Sequence, residues 1–282
     1  MRVTTQSYPW RSFAARAGRP FDTFDDTTLA DIARAGYDGW EPIVVRPEQL
    51  DGIDRRLRSH GLVMPTAYVN SVLHDPARLG ASVGTVLSIA ERLADLGTTI
   101  LVTNPAPLGS GPTDNKTDDQ LRFQAEALDS LGGRLAALGV TLALHNHDAE
   151  LRAGAREFHH MLSATDPGHV SFCLDAHWVY RGCLNSMVGV DDAVRMYGHR
   201  IVELHLRQSH RGIFDAVFGF DGDVDYASLF AALVRDGHPP PALVMEQSIE
   251  PATEVTDDVV ECHRQSLVNL RRRLSAAPPK PE

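Results

Sequence analysis

Eight short apolar runs, parted by helical periodicity and glycine-rich turns, constrain the fold of this chain more than any other feature. The runs predict strands over residues 3–8, 37–45, 62–68, 99–104, 140–144, 170–174, 200–204 and 242–245. Helices are predicted over 28–35, 47–59, 79–96, 119–138, 226–235 and 257–274. In the third of these, Val83, Val86, Leu87, Ala90 and Leu93 recur at helical spacing, and Gly36, Gly61, Gly97 and Gly139 mark helix ends. Pro9 and Trp10 are read as closing the first strand, with a polar loop after them. Strands that alternate with helices make parallel sheets, because a parallel neighbour needs a long crossover. Eight such units are the count of a closed (β/α)8 barrel, and 282 residues accommodate the roughly 250 that this architecture takes. An open doubly wound sheet also alternates, but no Gly-rich dinucleotide turn follows the first run. The expectation is an α/β fold, a single-domain (β/α)8 TIM barrel over residues 1–275, with a disordered Pro- and Lys-containing tail at 276–282.

Composition narrows the function. A net charge of −10 discounts the nucleic-acid backbone as a main partner, since such binding needs Lys and Arg against phosphates. No apolar run approaches the roughly 20 residues that span a bilayer, and the N-terminus has no signal-peptide core. Three cysteines, Cys173, Cys183 and Cys262, are too few and too scattered for a disulfide framework or a cysteine zinc site. A cytoplasmic protein is expected, without nucleic-acid or membrane partners.

Chemistry concentrates in Thr141-Leu-Ala-Leu-His-Asn-His-Asp-Ala-Glu150, where an apolar strand delivers two histidines, an asparagine and two acids. Side chains two apart on a strand share a face, so His145 and His147 converge, with Glu150 in the loop beyond. The pattern recurs: His145, Asp175, His205 and Glu246 each follow a short apolar run, about one βα repeat apart. In a barrel, strand carboxyl ends share one mouth, which gathers two imidazoles and two carboxylates into a donor set suited to Mn, Zn, Fe or Co. The competing reading is a set of unrelated polar strand ends. His147 and Glu150 are read as supporting or substrate-contacting groups, Glu41 as a substrate-facing acid or a solvated loop acid, and His177 as a substrate contact. Arg207, two residues past His205, is a hydroxyl or anion contact or a surface arginine. Glu203 shares a face with His205 and is read as structural; Tyr8, Trp10 and Trp178 are candidate walls for a sugar ring.

Several of these segments carry a resemblance: Leu144-His-Asn-His-Asp-Ala-Glu150, Cys173-Leu-Asp-Ala-His-Trp-Val-Tyr-Arg-Gly182, Gly198-His-Arg-Ile-Val-Glu-Leu-His-Leu206, Gly222-Asp-Val-Asp225 and Val244-Met-Glu-Gln247. Over nearly its whole length the chain resembles the xylose-isomerase-like barrels, which include sugar isomerases, epimerases and inosose dehydratases. The resemblance implies one divalent metal held by His145, Asp175, His205 and Glu246, manganese foremost, with Mg, Co, Zn or Fe as alternatives. It also implies a small carbohydrate or cyclitol substrate and is compatible with a homo-oligomer. Three positions depart from the common pattern. His145 stands where many epimerases have Glu, Trp178 stands where His commonly follows the sixth-strand Asp, and Arg207-Gln208 stands where Lys-Asp is common. These departures resemble the branch that handles keto-inositols or 3-keto-sugars, and either His145 or Glu150 could complete the coordination. The implied activity is isomerisation or epimerisation through an enediolate, with Glu246, His145 or His147 as acid and base. The same enediolate gives a lyase if a β-substituent leaves. A non-catalytic sugar-binding barrel and a DNA-repair endonuclease are the alternatives of other classes.

Overall fold

The computed structural model describes residues 2–276, so the expected tail lies outside the described residues apart from Ala276, which caps the last helix. The strands are β1 (Val3–Gln6), β2 (Gly39–Glu41), β3 (Thr66–Tyr68), β4 (Ile100–Thr103), β5 (Thr141–His145), β6 (Val170–Asp175), β7 (Ile201–Leu206), β8 (Ser209–His210), β9 (Ile213–Phe214) and β10 (Ala242–Met245). The helices are α1 (Ser7–Arg16), α2 (Asp26–Ala35), α3 (Ile53–Ser59), α4 (Pro76–Asp95), α5 (Asp118–Ala136), α6 (Arg152–Ser163), α7 (Ala176–Gly182), α8 (Met187–Tyr197), α9 (Tyr226–Arg235) and α10 (Val259–Ser275). All strands except the β8–β9 hairpin form one parallel sheet in the order β2-β1-β10-β7-β6-β5-β4-β3. Its outer strands meet. Trp40 N–H donates to the Val63 carbonyl at 2.9 Å, and Val44 N–H to the Tyr68 carbonyl at 2.8 Å, so β2 and β3 close a barrel. This is a single-domain (β/α)8 TIM barrel, as the eight apolar runs require.

Alternation along each strand divides the molecule into two cores. Leu142 and Leu144, Phe172 and Leu174, and Leu204 and Leu206 face outward into the large apolar layer against the helices. Their neighbours point inward, where Ala143 and Cys173 join Tyr68 and Val102 in a small apolar cluster. Val244 also points inward, and most of the other inward positions toward the carboxyl ends are polar and build the site described below.

Local chemistry fixes the helix boundaries. Thr117 and Gln120 form a capping box that starts α5 at Asp118, and Asp75 with Pro76 starts α4 three residues before the expected Leu79. Gly36, at φ 91°, ends α2 as expected. Two expectations fail. Residues 47–59 are not one helix, because Gly52 at φ 69° separates a 3-10 turn from α3. Nor does a loop follow Pro9: residues Ser7–Arg16 are helical, and Pro9 sits in the first turn, where a missing N–H breaks no helical bond.

Two tests follow from this packing. A Cβ built on Gly39 would lie 2.4 Å from the Val63 carbonyl oxygen, at the seam that closes the barrel. Gly39→Ala is expected to cost about 1–3 kcal/mol, read as a lower denaturant midpoint; an unchanged midpoint would show that the seam yields freely. The second concerns His263, which is buried, stacked on Trp10 at 4.3 Å, and pushed by burial down to about 3. The unfolded chain takes that proton near pH 6.5 and the folded chain does not, so the contribution is intact above about pH 6.5 and is lost as pH falls toward the folded value. Relative to His263→Phe, the wild type should lose about 1.4 kcal/mol per pH unit in that window. Parallel stability profiles for the two proteins would refute the assignment.

Candidate metal centre and cavity

The inward positions at the carboxyl ends of β5, β6, β7 and β10 are His145, Asp175, His205 and Glu246, all buried. Register brings them together. Asp175 pairs with His205 across β6 and β7, after a bulge between Phe172 and Cys173 that also sets Cys173 opposite Glu203. His205 lies beside Val244, one turn of the pleat below Glu246. One donor atom from each of the four residues falls within 4.8 Å of the others.

His205 anchors the cluster. Its Nδ1 is 2.9 Å from Glu246 Oε2, and its Nε2 is 3.1 Å from Glu203 Oε1. Burial opposes a charge on this ring, but the acidic neighbours Cys173, Glu41 and Glu246 outweigh it and hold the imidazole well above its ordinary range. Burial likewise opposes ionisation of Glu246, and Arg207 with His205 overcomes it, so that carboxylate is held well below its ordinary range. Arg207 Nη2 stands 2.9 Å from Glu246 Oε2 and 3.8 Å from Asp175 Oδ2. Asp175 is raised, chiefly by burial.

His145 lacks what His205 has. Both its ring nitrogens are buried without a hydrogen-bond partner, as is Asp175 Oδ2, which lies 3.9 Å from His145 Nε2. Burial, followed by the charges of His205 and His147, keeps this imidazole neutral, well below its ordinary range. Unpartnered buried nitrogens and oxygens are costly, and a cation bound beside them would satisfy Asp175 Oδ2 and one His145 nitrogen. The donor set therefore fits a divalent metal, with neutral imidazole and carboxylate oxygen of the kind that Mn, Zn, Fe and Co accept.

Above this cluster lies a cavity of about 230 Å³ lined by Gln6, Tyr8, Ile43, Tyr68, Asn70, His147, Trp178, Arg207 and Glu246. The expected substrate contacts divide. Arg207 lines the cavity, whereas Glu41, Glu150 and His177 do not. Glu41 lies beneath the cluster, accepting a hydrogen bond from Thr66 Oγ1 at 2.9 Å. Glu150 accepts the His147 backbone N–H at 2.7 Å and stands outside the four-residue group; burial and then Glu157 push its carboxyl up to about 7. His177 Nε2 is 2.8 Å from Ser209 Oγ, which donates to Asp223 Oδ2 at 2.6 Å. It holds the hairpin rather than the cavity wall. His147 enters the wall two residues beyond His145, their ring centroids 4.8 Å apart, and burial pushes its imidazole down to about 4. Tyr8 and Trp178 are walls as expected, but Trp10 is buried against His263.

Gln6, Ile43, Tyr68 and Asn70 were not singled out in the sequence. Counting by two along the first and third strands places Gln6, Tyr68 and Asn70 inside, so the signal was present but their residue types did not announce it. Asn146 was likewise unmarked. Its side chain accepts the Asp175 N–H and donates to the Asp175 carbonyl, both at 3.1 Å, tying two strand ends together. The β8–β9 hairpin closes one side. The Arg181 guanidinium carbon lies 3.9 Å from the Phe214 ring centroid and Arg181 pairs with Glu250, while the Arg207 guanidinium carbon lies 4.9 Å from the same centroid.

Among solved structures, D-allulose 3-epimerase from Methylomonas sp. in complex with D-allulose is 19% identical with a TM-score of 0.73, covering 97% of this chain and 97% of its own. A 3-keto-D-glucoside 4-epimerase from E. coli is 19% identical with a TM-score of 0.71, covering 96% of this chain and 99% of its own. A sugar phosphate isomerase/epimerase from Parabacteroides distasonis is 18% identical with a TM-score of 0.71, covering 98% and 94%. These likenesses are of fold. No curated protein matches the sequence. The family model described as xylose isomerase-like TIM barrel matches residues 29–266, and the chain belongs to that family.

Proposed function

We infer that the chain is a divalent-metal-dependent isomerase or epimerase of a sugar, keto-sugar or keto-inositol, acting by proton abstraction beside a carbonyl. The observation that carries this reading is the convergence of His145, Asp175, His205 and Glu246 on one point beneath the cavity, with the His145 ring nitrogens and Asp175 Oδ2 left without hydrogen bonds there. His145, Asp175, His205 and Glu246 would hold the metal. Bound there, a divalent cation polarises a carbonyl and lowers the barrier to ionising the adjacent C–H.

The chain's own residues supply the rest. Glu246 and His147 both reach the cavity, one to take a proton from carbon and the other to return it. His145 is wholly buried, and its place under His147 suits a ligand better than a base. Arg207, already at the wall, orients a hydroxyl or carbonyl oxygen of the substrate while keeping Glu246 ionised. Tyr8 and Trp178 present apolar surface to one side of a ring, and Gln6 and Asn70 supply amides for hydroxyls. The similar structures of a D-allulose 3-epimerase and a 3-keto-D-glucoside 4-epimerase support a sugar or keto-sugar substrate. Among the described residues no helix is long and apolar enough to cross a membrane, and all three cysteines are free, which supports the cytoplasmic reading.

Metal analysis of the purified protein should find about one divalent cation per chain, removed in a His145→Ala, Glu246→Ala double variant that keeps its circular dichroism spectrum. A wild type that stays empty after loading with Mn²⁺ would end the metal-dependent reading. With the metal in place, NMR of keto-sugars and keto-inositols in deuterated water should show solvent deuterium entering at carbon. Release of a substituent in the same experiment would identify the lyase. His147→Asn should lower kcat by roughly 10²–10⁴-fold while metal content stays unchanged, and retention of full activity would remove His147 from the mechanism.

A further inference from the structure

We propose that Glu203 is a positioning residue that fixes the His205 ring with a proton on Nε2, so that a cation binds at Nδ1 in place of the proton shared there with Glu246. This rests on the reading of His145, Asp175, His205 and Glu246 as a cation site. Glu203 precedes His205 by two residues on β7, so both side chains enter the barrel, and neither Glu203 nor Glu41 lines the cavity or can touch a substrate. The two nitrogens of His205 face opposite ways: Nδ1 toward Glu246 at 2.9 Å, on the cavity side, and Nε2 toward Glu203 at 3.1 Å, in the barrel interior.

A metal binds only an imidazole nitrogen that carries no proton, so the remaining proton must have a fixed acceptor on the far side. Glu203 Oε1 is that acceptor, fully buried and itself approached by Cys173 Sγ at 3.5 Å. Glu41 flanks the same nitrogen at 3.1 Å from the opposite strand, makes no hydrogen bond to it, and is pinned through Thr66. Together the two carboxylates leave Nε2 no route to water. Removing such a partner typically costs about 10–100-fold in metal affinity. The same three residues, Glu41, Glu203 and His205, also place donor atoms within 4.8 Å of one another, so a second cation at that spot is the competing assignment.

Co²⁺ titration against a competing chelator, with circular dichroism to verify folding, separates these. The wild type should bind about one Co²⁺ per chain. Glu203→Met, similar in shape but without the acceptor, should bind about 10–100-fold more weakly, and Glu203→Gln, whose amide oxygen still accepts the N–H, should restore affinity toward the wild type. Two cations per chain, one of them lost in Glu203→Met, would overturn the proposal and make the cluster a second metal site. Equal affinity in Glu203→Met and wild type would also overturn it. ¹⁵N NMR of the Zn²⁺-loaded wild type needs no substitution: the His205 ring should show a protected Nε2–H with Nδ1 bound, and binding through Nε2 would refute the assignment. A wild type that binds neither ion would defeat the cation-site reading and this proposal with it, whereas binding without a Glu203 effect defeats this proposal alone.

Discussion

An imidazole at the centre of a barrel cannot be solvated, so any partner its nitrogens have must come from the fold or from something bound there. His205 finds Glu246 on one side and Glu203 on the other, and these contacts draw in most of what surrounds it. Glu246 must then be neutralised, which Arg207 does; Glu203 crowds Glu41, which leans on Thr66. Burial and the neighbouring Glu41 raise the Glu203 carboxyl, the electrostatic cost of packing two acids against one ring. Four strands, β2, β3, β7 and β10, thus contribute to one network, and the closure of β2 onto β3 is what brings Glu41 against Thr66.

How much of this was legible in the sequence follows from the period of a strand. Every residue of the proposed metal-ligand group stands directly after an apolar run, so alternation and the barrel's common mouth sufficed to bring His145, Asp175, His205 and Glu246 together. The same counting marked Glu203 as sharing the His205 face. It did not separate the two levels of the barrel, because depth depends on how strands stagger against each other rather than on any one strand. Glu41, read as a substrate-facing acid, therefore sits beneath the cluster, and Glu150, read near the site, turns back to hold the backbone of His147.

Loops and helix starts were less legible, for local reasons. Pro9 stops a strand and begins a helix with equal ease, and only the Gln6 side chain, accepting the Tyr8 N–H, decides between them. His177 carries no mark that would distinguish a ligand-like histidine from one that braces a hairpin through Ser209 and Asp223, since those partners lie 32 and 46 residues away. Cavity walls made of Gln6, Ile43, Tyr68 and Asn70 are ordinary residues whose role arises from position alone.

Arg207 has a bearing on how such a protein matures. Two carboxylates awaiting a dication would repel each other during folding and hold the mouth open. The guanidinium already between them, 2.9 Å from one and 3.8 Å from the other, acts as a resident counter-ion. The barrel can close on its own charges, and if these residues hold a metal as proposed, loading would be an exchange in which the incoming cation takes over part of a balance the polypeptide has kept, leaving the arginine free to turn toward whatever enters next.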